Sequence, residues 1–439
     1  MIEEKVMFRG RVRIQLLLMC SLLVVLASIP PVFAQEPVTL VFWDNLFAVD
    51  EARPPEEEFI FQAIAMFEAE NPDIIVERVH QAPDLGTFDQ LLRAASIAGN
   101  GPDVFNQFAG GSLISFAPFI EPLDGYFTEE EMSQLVGWDS VRNDFRADGE
   151  LLGVPYGAGS YFAVYYNREL MEQGGVDMEN FTPPATWEEL LALAQSIKDN
   201  GVQPFAIGEQ EGYTGAWVMA TLVGGLVGPE VFFDMRAREV PINAPEWVEA
   251  YEAYRQLYEL GLVNVDAGST PSGDGQLLFT QGKAAMWIQG GWANRDIYDI
   301  FGENAGLFPI PTLDGSVYPG GIAGGPNIAL SVMNYSQHKE EAVRFIKFMV
   351  RPDILDLYVS VNQTEPSNHL QADPSVIQNP LLQAQAEQLL AGRTIYPFDN
   401  IMPGEINSMF YRLNSAVFIG QLAPQDAADQ LQAAYEAMP

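Results

Sequence analysis

Short apolar segments alternate with longer amphipathic segments through the first third of the chain. The run Val38–Trp43 is apolar and rich in β-branched residues, which predicts a buried strand. Apolar residues then recur at helical spacing from Ile60 to Phe67, and a second strand-like run covers residues 74–79. A helical segment at 88–98 and a third strand at 103–108 follow. This order predicts an α/β fold built on open, mostly parallel sheets flanked by helices.

The middle of the chain continues the alternation. Thr186 and Glu189 form a capping box, which predicts a helix start that buries the neighbouring Trp187 in the core. Further strands are predicted at 284–288 and 327–332. The chain therefore contains enough alternating elements for more than one α/β unit.

Residues 1–34 have a different pattern, that of a secretory signal peptide. Four cationic residues precede the apolar run Leu16–Ala27, prolines 30 and 31 end that run, and Val32-Phe33-Ala34 has the residues a signal peptidase accepts. We expect cleavage near Ala34 and a location in the periplasm or at the extracellular face of the cytoplasmic membrane. An uncleaved anchor is the alternative.

The only cysteine, Cys20, lies within this apolar run. We expect it to be lost with the signal, although a lipoprotein cysteine is the alternative. The mature chain would then have no disulfide, no thiol nucleophile and no thiolate metal site.

Composition restricts the possible functions. The 439 residues include 22 Lys+Arg and 59 Asp+Glu, a formal net charge of −37, so a nucleic-acid partner is not expected. The three histidines (His80, His338 and His369) are far apart in sequence, which argues against a zinc site. Phosphate-binding loops and nucleophile elbows are missing from the sequence. We expect no catalytic residue, no metal and no cofactor.

Aromatic and amide residues instead lie at the ends of predicted strands and in the turns that follow them. Trp43-Asp44-Asn45, Asn106-Gln107 and Gly291-Trp292 all have this position. Ligands of open α/β sheets bind beyond the carboxyl ends of strands. A neutral polyol suits these residues, because its C–H faces stack on aromatic rings and its hydroxyls pair with carboxylates and amides.

The ordered set of motifs is itself informative. In chain order they are VTLVFWDN, FEAENPDIIVE, AGNGPDVF, FIEPLDGYF, GELLGVPYG, YYNREL, PPATWEELLALA, FTQGKAAMWIQGGW, GGIAGGPNIAL and EEAVRFIKFMVRPD. With these motifs the chain resembles the extracellular solute-binding proteins of ABC importers, the family of maltose- and oligosaccharide-binding proteins.

The resemblance implies a two-lobed clamp with three crossings between lobes, near 157–160, 308–311 and 362–366. The N-terminal lobe would comprise 35–157 with 310–363. The C-terminal lobe would comprise 158–309 with 364–439. Ligand would bind in the cleft and close the lobes.

The resemblance also implies which residues contact the ligand. Trp292 matches a stacking tryptophan, Glu211 and Tyr213 match a pair that binds sugar hydroxyls and ring, and Gly159 stands where maltose binders have an acid. The full expected set is Trp43, Asp44, Asn45, Gln107, Ser160, Tyr161, Glu211, Tyr213, Trp217, Gly291, Trp292, Gly320, Gly321 and Phe410.

The expected function is therefore that of a monomeric receptor that binds a sugar or oligosaccharide and delivers it to ABC transporter permease subunits. Two other classes remain open from the sequence. One is a secreted carbohydrate-active hydrolase that uses a carboxylate pair, and the other is a scaffold or adhesion protein.

Overall fold

A computed structural model describes residues 36–47, 49, 53–81, 85–390 and 393–438. The expected signal peptide and Cys20 lie outside these ranges. Within them, no helix combines the length and the apolar character that crossing a bilayer would require.

The strands begin and end as follows: β1 Val38–Asp44, β2 Ile74–His80, β3 Val104–Phe108, β4 Val154–Tyr156, β5 Ser160–Asn167, β6 Phe205–Ala206, β7 Met286–Gly290, β8 Ala305–Pro309, β9 Ile322–Gly325, β10 Ile328–Val332 and β11 Thr394–Ile395.

The helices are α1 Phe59–Glu70, α2 Leu85–Ala98, α3 Gly111–Ile114, α4 Glu129–Ser133, α5 Arg168–Gln173, α6 Trp187–Asp199, α7 Tyr213–Val227, α8 Val231–Arg236, α9 Pro245–Glu259, α10 Ser272–Thr280, α11 Asn294–Phe301, α12 Lys339–Met349, α13 Pro352–Asn362, α14 Pro380–Leu390, α15 Phe398–Ile401, α16 Gly404–Phe418 and α17 Pro424–Glu436.

The first lobe is built on a sheet with strand order β2-β1-β3-β10-β4. β1 is parallel to β2 and to β3, whereas β10 runs antiparallel to β3 and β4. Because β1 and β3 are parallel, the loops that follow Asp44 and Phe108 emerge at the same edge of the sheet.

The second lobe is built on a sheet with the order β11-β9-β5-β7-β6, and β8 pairs with β5. β6 and β7 are parallel, so the segments after Ala206 and Gly290 leave the same edge. Separate apolar cores pack against the two sheets. This two-lobed α/β architecture confirms the expected fold class.

The chain first passes from one sheet to the other between β4 and β5. Ala158 N donates to Pro366 O at 2.9 Å, so the first crossing is bonded to the third. At Gly159 the backbone has φ +83°, and an added Cβ would collide with the carbonyl of Gly325. No acidic residue could stand at 159 without moving the hinge.

The second crossing corrects the predicted lobe boundary at 310. β9 pairs with β5 and β11, and Leu313 packs in the second core, so residues 310–325 belong to the second lobe. The chain crosses at Pro326-Asn327. The glycine-rich sequence of β9 resembles a loop, which explains the error.

The third crossing corrects the boundary at 364. Asn368 Nδ2 donates to the carbonyl oxygens of Val136 and Pro155 at 3.1 Å each, which holds this segment on the first lobe. The chain joins the second lobe at α14, which contacts α11 and β8.

Candidate ligand-binding cleft

A cleft of about 540 Å³ opens where the two lobes face each other. It is lined by Leu46, Phe47, Val49, Arg53, Glu58, Phe108, Asn327, Ile328 and Tyr358 from the first lobe, by Trp292, Arg295, Asp296 and Asp299 from the second, and by Asn362, Thr364 and Glu365 of the third crossing. Both lobes and a crossing segment therefore contribute to one concave surface.

Trp292 is the most exposed aromatic residue of this cleft. It follows the buried strand β7, and 42% of its surface is exposed. Its ring lies edge-on to Trp217, with centroids 5.5 Å apart, and edge-on to Phe162 at 6.1 Å. Phe162 and Trp217 stack on each other at 5.3 Å. The buried rings of Phe162 and Trp217 therefore pack against Trp292 on its protein side, and part of the Trp292 ring stays exposed.

Asp44, in contrast, is committed to the protein. It is fully buried and accepts hydrogen bonds from Arg78 Nε at 2.8 Å and Asn106 Nδ2 at 2.6 Å, and also from the backbone of Leu46 and Phe47. Burial alone would raise the pKa of Asp44, but His80, the Arg78 charge and these donors together lower it. The structure thus places Asp44, expected as a ligand contact, in the protein's own hydrogen-bond network and outside the cleft lining.

The role of Asp44 is to shape the loop after β1, whose next residues Leu46 and Phe47 line the cleft. Trp43 packs, half-buried, against the first core. Asn45 has side-chain amide atoms that are buried and make no hydrogen bond with the described residues. Asn45 therefore keeps buried polar atoms with no partner among the described residues, whereas the oxygens of Asp44 are occupied.

Gln107 is also committed to the protein. It is 1% exposed, its Nε2 donates to Asp89 Oδ1 at 2.6 Å, and its Oε1 accepts from Phe108 N at 2.6 Å. The cleft contact comes from the next residue, Phe108, because successive side chains of a strand point to opposite faces.

Ser160 and Tyr161 begin β5, opposite Gly325 and Gly324. Tyr161 is buried and its Oη donates to Ala158 O at 3.3 Å. Tyr161 lines a separate cavity of about 570 Å³, together with the crossing residues Pro326 and Pro366. The structure thus places Tyr161, expected as a ligand contact, beside the crossings and in a cavity other than the cleft.

Glu211 and Tyr213 lie at the start of α7, beyond the end of β6. Glu211 Oε2 accepts from Ser272 N at 2.9 Å, and the half-exposed Tyr213 ring lies edge-on to Tyr411 at 5.1 Å. Both line a third cavity, of about 610 Å³, whose lining residues all belong to the second lobe. Trp217, one helical turn later, contacts Trp292 and links the two regions.

Three expected site residues lie elsewhere. Phe410 is fully buried, with its ring centroid 4.9 Å from Phe398 and 5.5 Å from Trp247, so it belongs to the core. Gly320 and Gly321 follow Tyr318, whose amide donates to Gly225 O near the C-terminal end of α7. That end lies about 20 Å from Tyr213 at the helical rise per residue. Two adjacent glycines in the sequence predict a turn, but they do not indicate at which end of the lobe that turn lies.

Gly291, also expected in the site, is buried beside the third crossing. A Cβ there would meet Gln385 Oε1 at 2.6 Å and Thr364 O at 3.1 Å. The absence of a side chain at Gly291 therefore leaves room for Gln385 and for the third-crossing residue Thr364, directly before Trp292.

Sequence reasoning missed the charged residues of the cleft, namely Arg53, Glu58, Arg295, Asp296, Asp299 and Glu365. Glu365 is the most unusual of these. Burial raises its pKa to about 7, although the Tyr358 hydroxyl and the Gly159 amide oppose the rise. Its Oε1 accepts from Tyr358 Oη at 2.7 Å, and its buried Oε2 makes no hydrogen bond within the described residues. No sequence signal marks such residues, because most charged residues lie on the surface.

Comparisons with known proteins show which proteins the chain resembles. The chain is 27% identical over 381 residues to a protein of Brucella abortus named only as a binding protein, covering 84% of this chain and 87% of the relative. It is 26% identical to the sn-glycerol-3-phosphate-binding periplasmic protein of Rhizobium meliloti, covering 61% and 63%. A solved chitin oligosaccharide binding protein superposes with a TM-score of 0.78 at 21% identity, covering 92% and 99%.

The family model described as bacterial extracellular solute-binding protein matches residues 51–354. Members of this family are receptors of ABC transporters and not enzymes, so the hydrolase alternative finds no support. The chain belongs to the bacterial extracellular solute-binding proteins.

Proposed function

We propose that this receptor binds a sugar or oligosaccharide between its two lobes and, as a monomer, delivers it to the permease of an ABC transporter. The closed clamp would present both lobes to the permease. A ligand can stabilise closure only by contacts it makes to both lobes at once.

Trp292 carries the proposal. A tryptophan with 42% of its surface exposed, fixed by two buried aromatic rings in a cleft, is a platform for an apolar ring face. Stacking of this kind contributes about 0.5–1.5 kcal/mol beyond area burial. The opposite wall supplies the Asn327 side chain and the charged groups Arg53 and Glu58, which suit ligand hydroxyls.

The charges of the cleft favour a neutral ligand over an anion. The lining includes two arginines, Arg53 and Arg295, and four acids, Glu58, Asp296, Asp299 and Glu365. Arg295 is already paired with Asp299, with Nε and Oδ2 3.8 Å apart. A phosphate would enter a surface with more carboxylates than guanidinium groups, and like charges in a cleft repel.

The comparisons name both ligand classes for other proteins, a chitin oligosaccharide in one case and sn-glycerol 3-phosphate in another. The exposed tryptophan and the excess of acids support the saccharide for this chain.

A thermal-shift screen of residues 35–439 tests the proposal. Mono-, di- and trisaccharides are compared with sn-glycerol 3-phosphate, and each sugar is recovered and chromatographed afterwards. A ligand at a hundred times its Kd should stabilise the protein by about 2.7 kcal/mol. We expect a shift with a sugar that is recovered intact. A shift with the phosphate ester alone would overturn the saccharide assignment, and cleaved sugar would overturn the receptor assignment.

A further inference from the structure

The cavity that Tyr161 lines beside the crossings is separate from the ligand cleft. We call it the hinge cavity and define it by Tyr161, Pro326, Asp356, Pro366, Asp373 and Leu389. Its volume of about 570 Å³ is similar to the 540 Å³ of the cleft, and the two cavities have no lining residue in common. The hinge cavity is therefore a second cavity and not an extension of the cleft.

The crossing segments form the wall between the two cavities. At the second crossing Pro326 lines the hinge cavity, whereas the next residue, Asn327, lines the cleft. At the third crossing Glu365 lines the cleft, whereas Pro366 lines the hinge cavity. Neighbouring residues thus face opposite sides of each crossing, as successive side chains of an extended chain do. The hinge cavity therefore lies on the other side of the crossings from the cleft.

Both lobes contribute to the hinge cavity. Val136 and Val359 line it from the first lobe, and Leu389 of α14 lines it from the second. The first-lobe wall is fixed to the third crossing, because Val136 N donates to Asn368 O at 3.0 Å and Asn368 Nδ2 donates to Val136 O at 3.1 Å. A cavity whose walls are already bonded in place loses less entropy when a ligand enters it.

The walls of the hinge cavity are mostly apolar. Thirteen of the seventeen residues that line it are glycine, apolar or aromatic, and the other four are Asp356, Ser367, Asp373 and Thr394. Val136, on the first-lobe side, is 44% exposed. Covering such apolar surface is favourable, so these walls suit the apolar body of a small molecule better than the hydroxyls of a sugar.

Two adjacent carboxylates supply the charge of this cavity. Asp356 Oδ1 accepts from Asp373 N at 3.0 Å, and neither acid forms an ion pair with a lysine or arginine of the described residues. Burial raises the pKa of Asp356 and the charge of Asp373 adds to the rise, whereas the Asp373 amide and His369 oppose it. No lysine or arginine is among the seventeen lining residues. A cation is therefore the charge that complements this cavity.

We propose that the hinge cavity binds an organic cation with an apolar body, such as an arylalkylammonium ion. The apolar body would lie against Pro326, Pro366 and Leu389. The ammonium group would pair with Asp356 and Asp373 through charge-assisted hydrogen bonds. Such a ligand would contact both lobes without entering the cleft, so the inference does not depend on which solute the cleft binds.

Calorimetric titration of residues 35–439 with three probes of similar size and shape tests the proposal. The probes are 3-phenylpropylammonium, 3-phenylpropanol and 3-phenylpropionate, at pH 7 and physiological ionic strength, which screens the attraction of a cation to exposed carboxylates. We expect the ammonium probe to bind about tenfold more tightly than the alcohol, which is a difference of about 1.4 kcal/mol. The carboxylate probe should not bind.

Three variants locate the binding. Asp356→Asn should weaken ammonium binding about fivefold and leave alcohol binding unchanged. Ala386→Phe should abolish binding of both probes, because Ala386 lines the hinge cavity and the larger ring would fill part of it. Glu340→Gln is the control, since Glu340 is an exposed acid of the first lobe outside this cavity, and it should leave every affinity unchanged. Circular dichroism shows that each variant is folded.

Equal affinity for the ammonium and the alcohol would overturn the inference, as would the absence of binding by either. Equal losses in Asp356→Asn and Glu340→Gln would overturn it too, because they would show attraction to the acidic surface as a whole. Unchanged ammonium affinity in Ala386→Phe would place the cation outside the hinge cavity, with the same consequence. None of these results would alter the proposed function of the cleft.

Discussion

Trp217 and Trp292 meet edge to face, with ring centroids 5.5 Å apart and ring planes inclined by 69°. Trp217 is 8% exposed and stacks on Phe162, whereas Trp292 is 42% exposed. Trp217 thus belongs to the core, whereas Trp292 lies on the cleft surface. The contact between the two rings restricts the rotamers that Trp292 can adopt. Preorganised ring positions reduce the entropy lost on binding.

Shortening Trp217 should therefore weaken binding without removing the platform. We expect Trp217→Phe to raise the sugar Kd about fivefold, because Trp292 loses its edge contact and gains rotamer freedom. The measurement is calorimetric titration, with urea unfolding in parallel.

Trp187→Phe is the matched control. Trp187 is buried, as the sequence predicts, in the same apolar core as Trp217, and it does not line the cleft. Both variants should lose stability, by about 1–3 kcal/mol, but Trp187→Phe should keep the wild-type Kd. Equal Kd values in the two variants would show that Trp217 does not position Trp292.

The buried pair of Asp44 and Arg78 should stabilise the first lobe strongly. Asp44→Ala leaves a guanidinium that is 9% exposed without its partner, which should cost about 3–5 kcal/mol in the free energy of unfolding. The exposed pair of Arg351 and Asp353 provides the comparison, and Asp353→Ala should cost less than about 1 kcal/mol. Urea unfolding at pH 7 gives both values. Similar losses would argue that burial does not control the energy of the Asp44 pair.

Glu365 should make stability depend on pH. Its pKa is raised from 4.5 to about 7 by burial, so the folded protein keeps the proton up to pH 7 while the unfolded chain releases it near pH 4.5. The contribution is fully present below pH 4.5, declines as pH rises to 7, and is lost above that. Over this interval the wild type should lose up to about 3 kcal/mol more than Glu365→Gln.

Urea unfolding of both proteins between pH 4.5 and 8 measures this difference. Glu405→Gln, at an exposed helix start, serves as the control and should follow the wild type. Parallel stability curves for the wild type and Glu365→Gln would contradict a proton held at Glu365.

The fold was largely predictable because its signals are local. Strand and helix periods, the cap at Thr186 and the ordered motifs can all be read from neighbouring residues. The lobe boundaries were not, because they depend on which sheet a short strand joins. Ile322–Gly325 pairs with Ser160 and Tyr161, more than 150 positions earlier, and nothing in its own glycine-rich sequence indicates this.

The residues of the candidate site also differ in how far the sequence predicts their positions. The position of Trp292 directly after a strand was predictable because that strand is strongly apolar, and its contact with a ligand stays a prediction. The commitment of Asp44 to Arg78 was not, because a carboxylate after a strand has the same sequence pattern whether a ligand or an arginine occupies it. Glu365 lines the cleft because it lies in the third crossing, and no local sequence pattern predicts that position.

Titration of the sugar identified by the thermal-shift screen into wild type and Trp292→Ala tests the central claim most directly. Trp138→Ala, a half-buried tryptophan of the first lobe that does not line the cleft, serves as the control. We predict that Trp292→Ala raises Kd at least tenfold while its circular dichroism spectrum stays native, and that the control binds as the wild type does. An unchanged Kd in Trp292→Ala would contradict a saccharide stacked in this cleft.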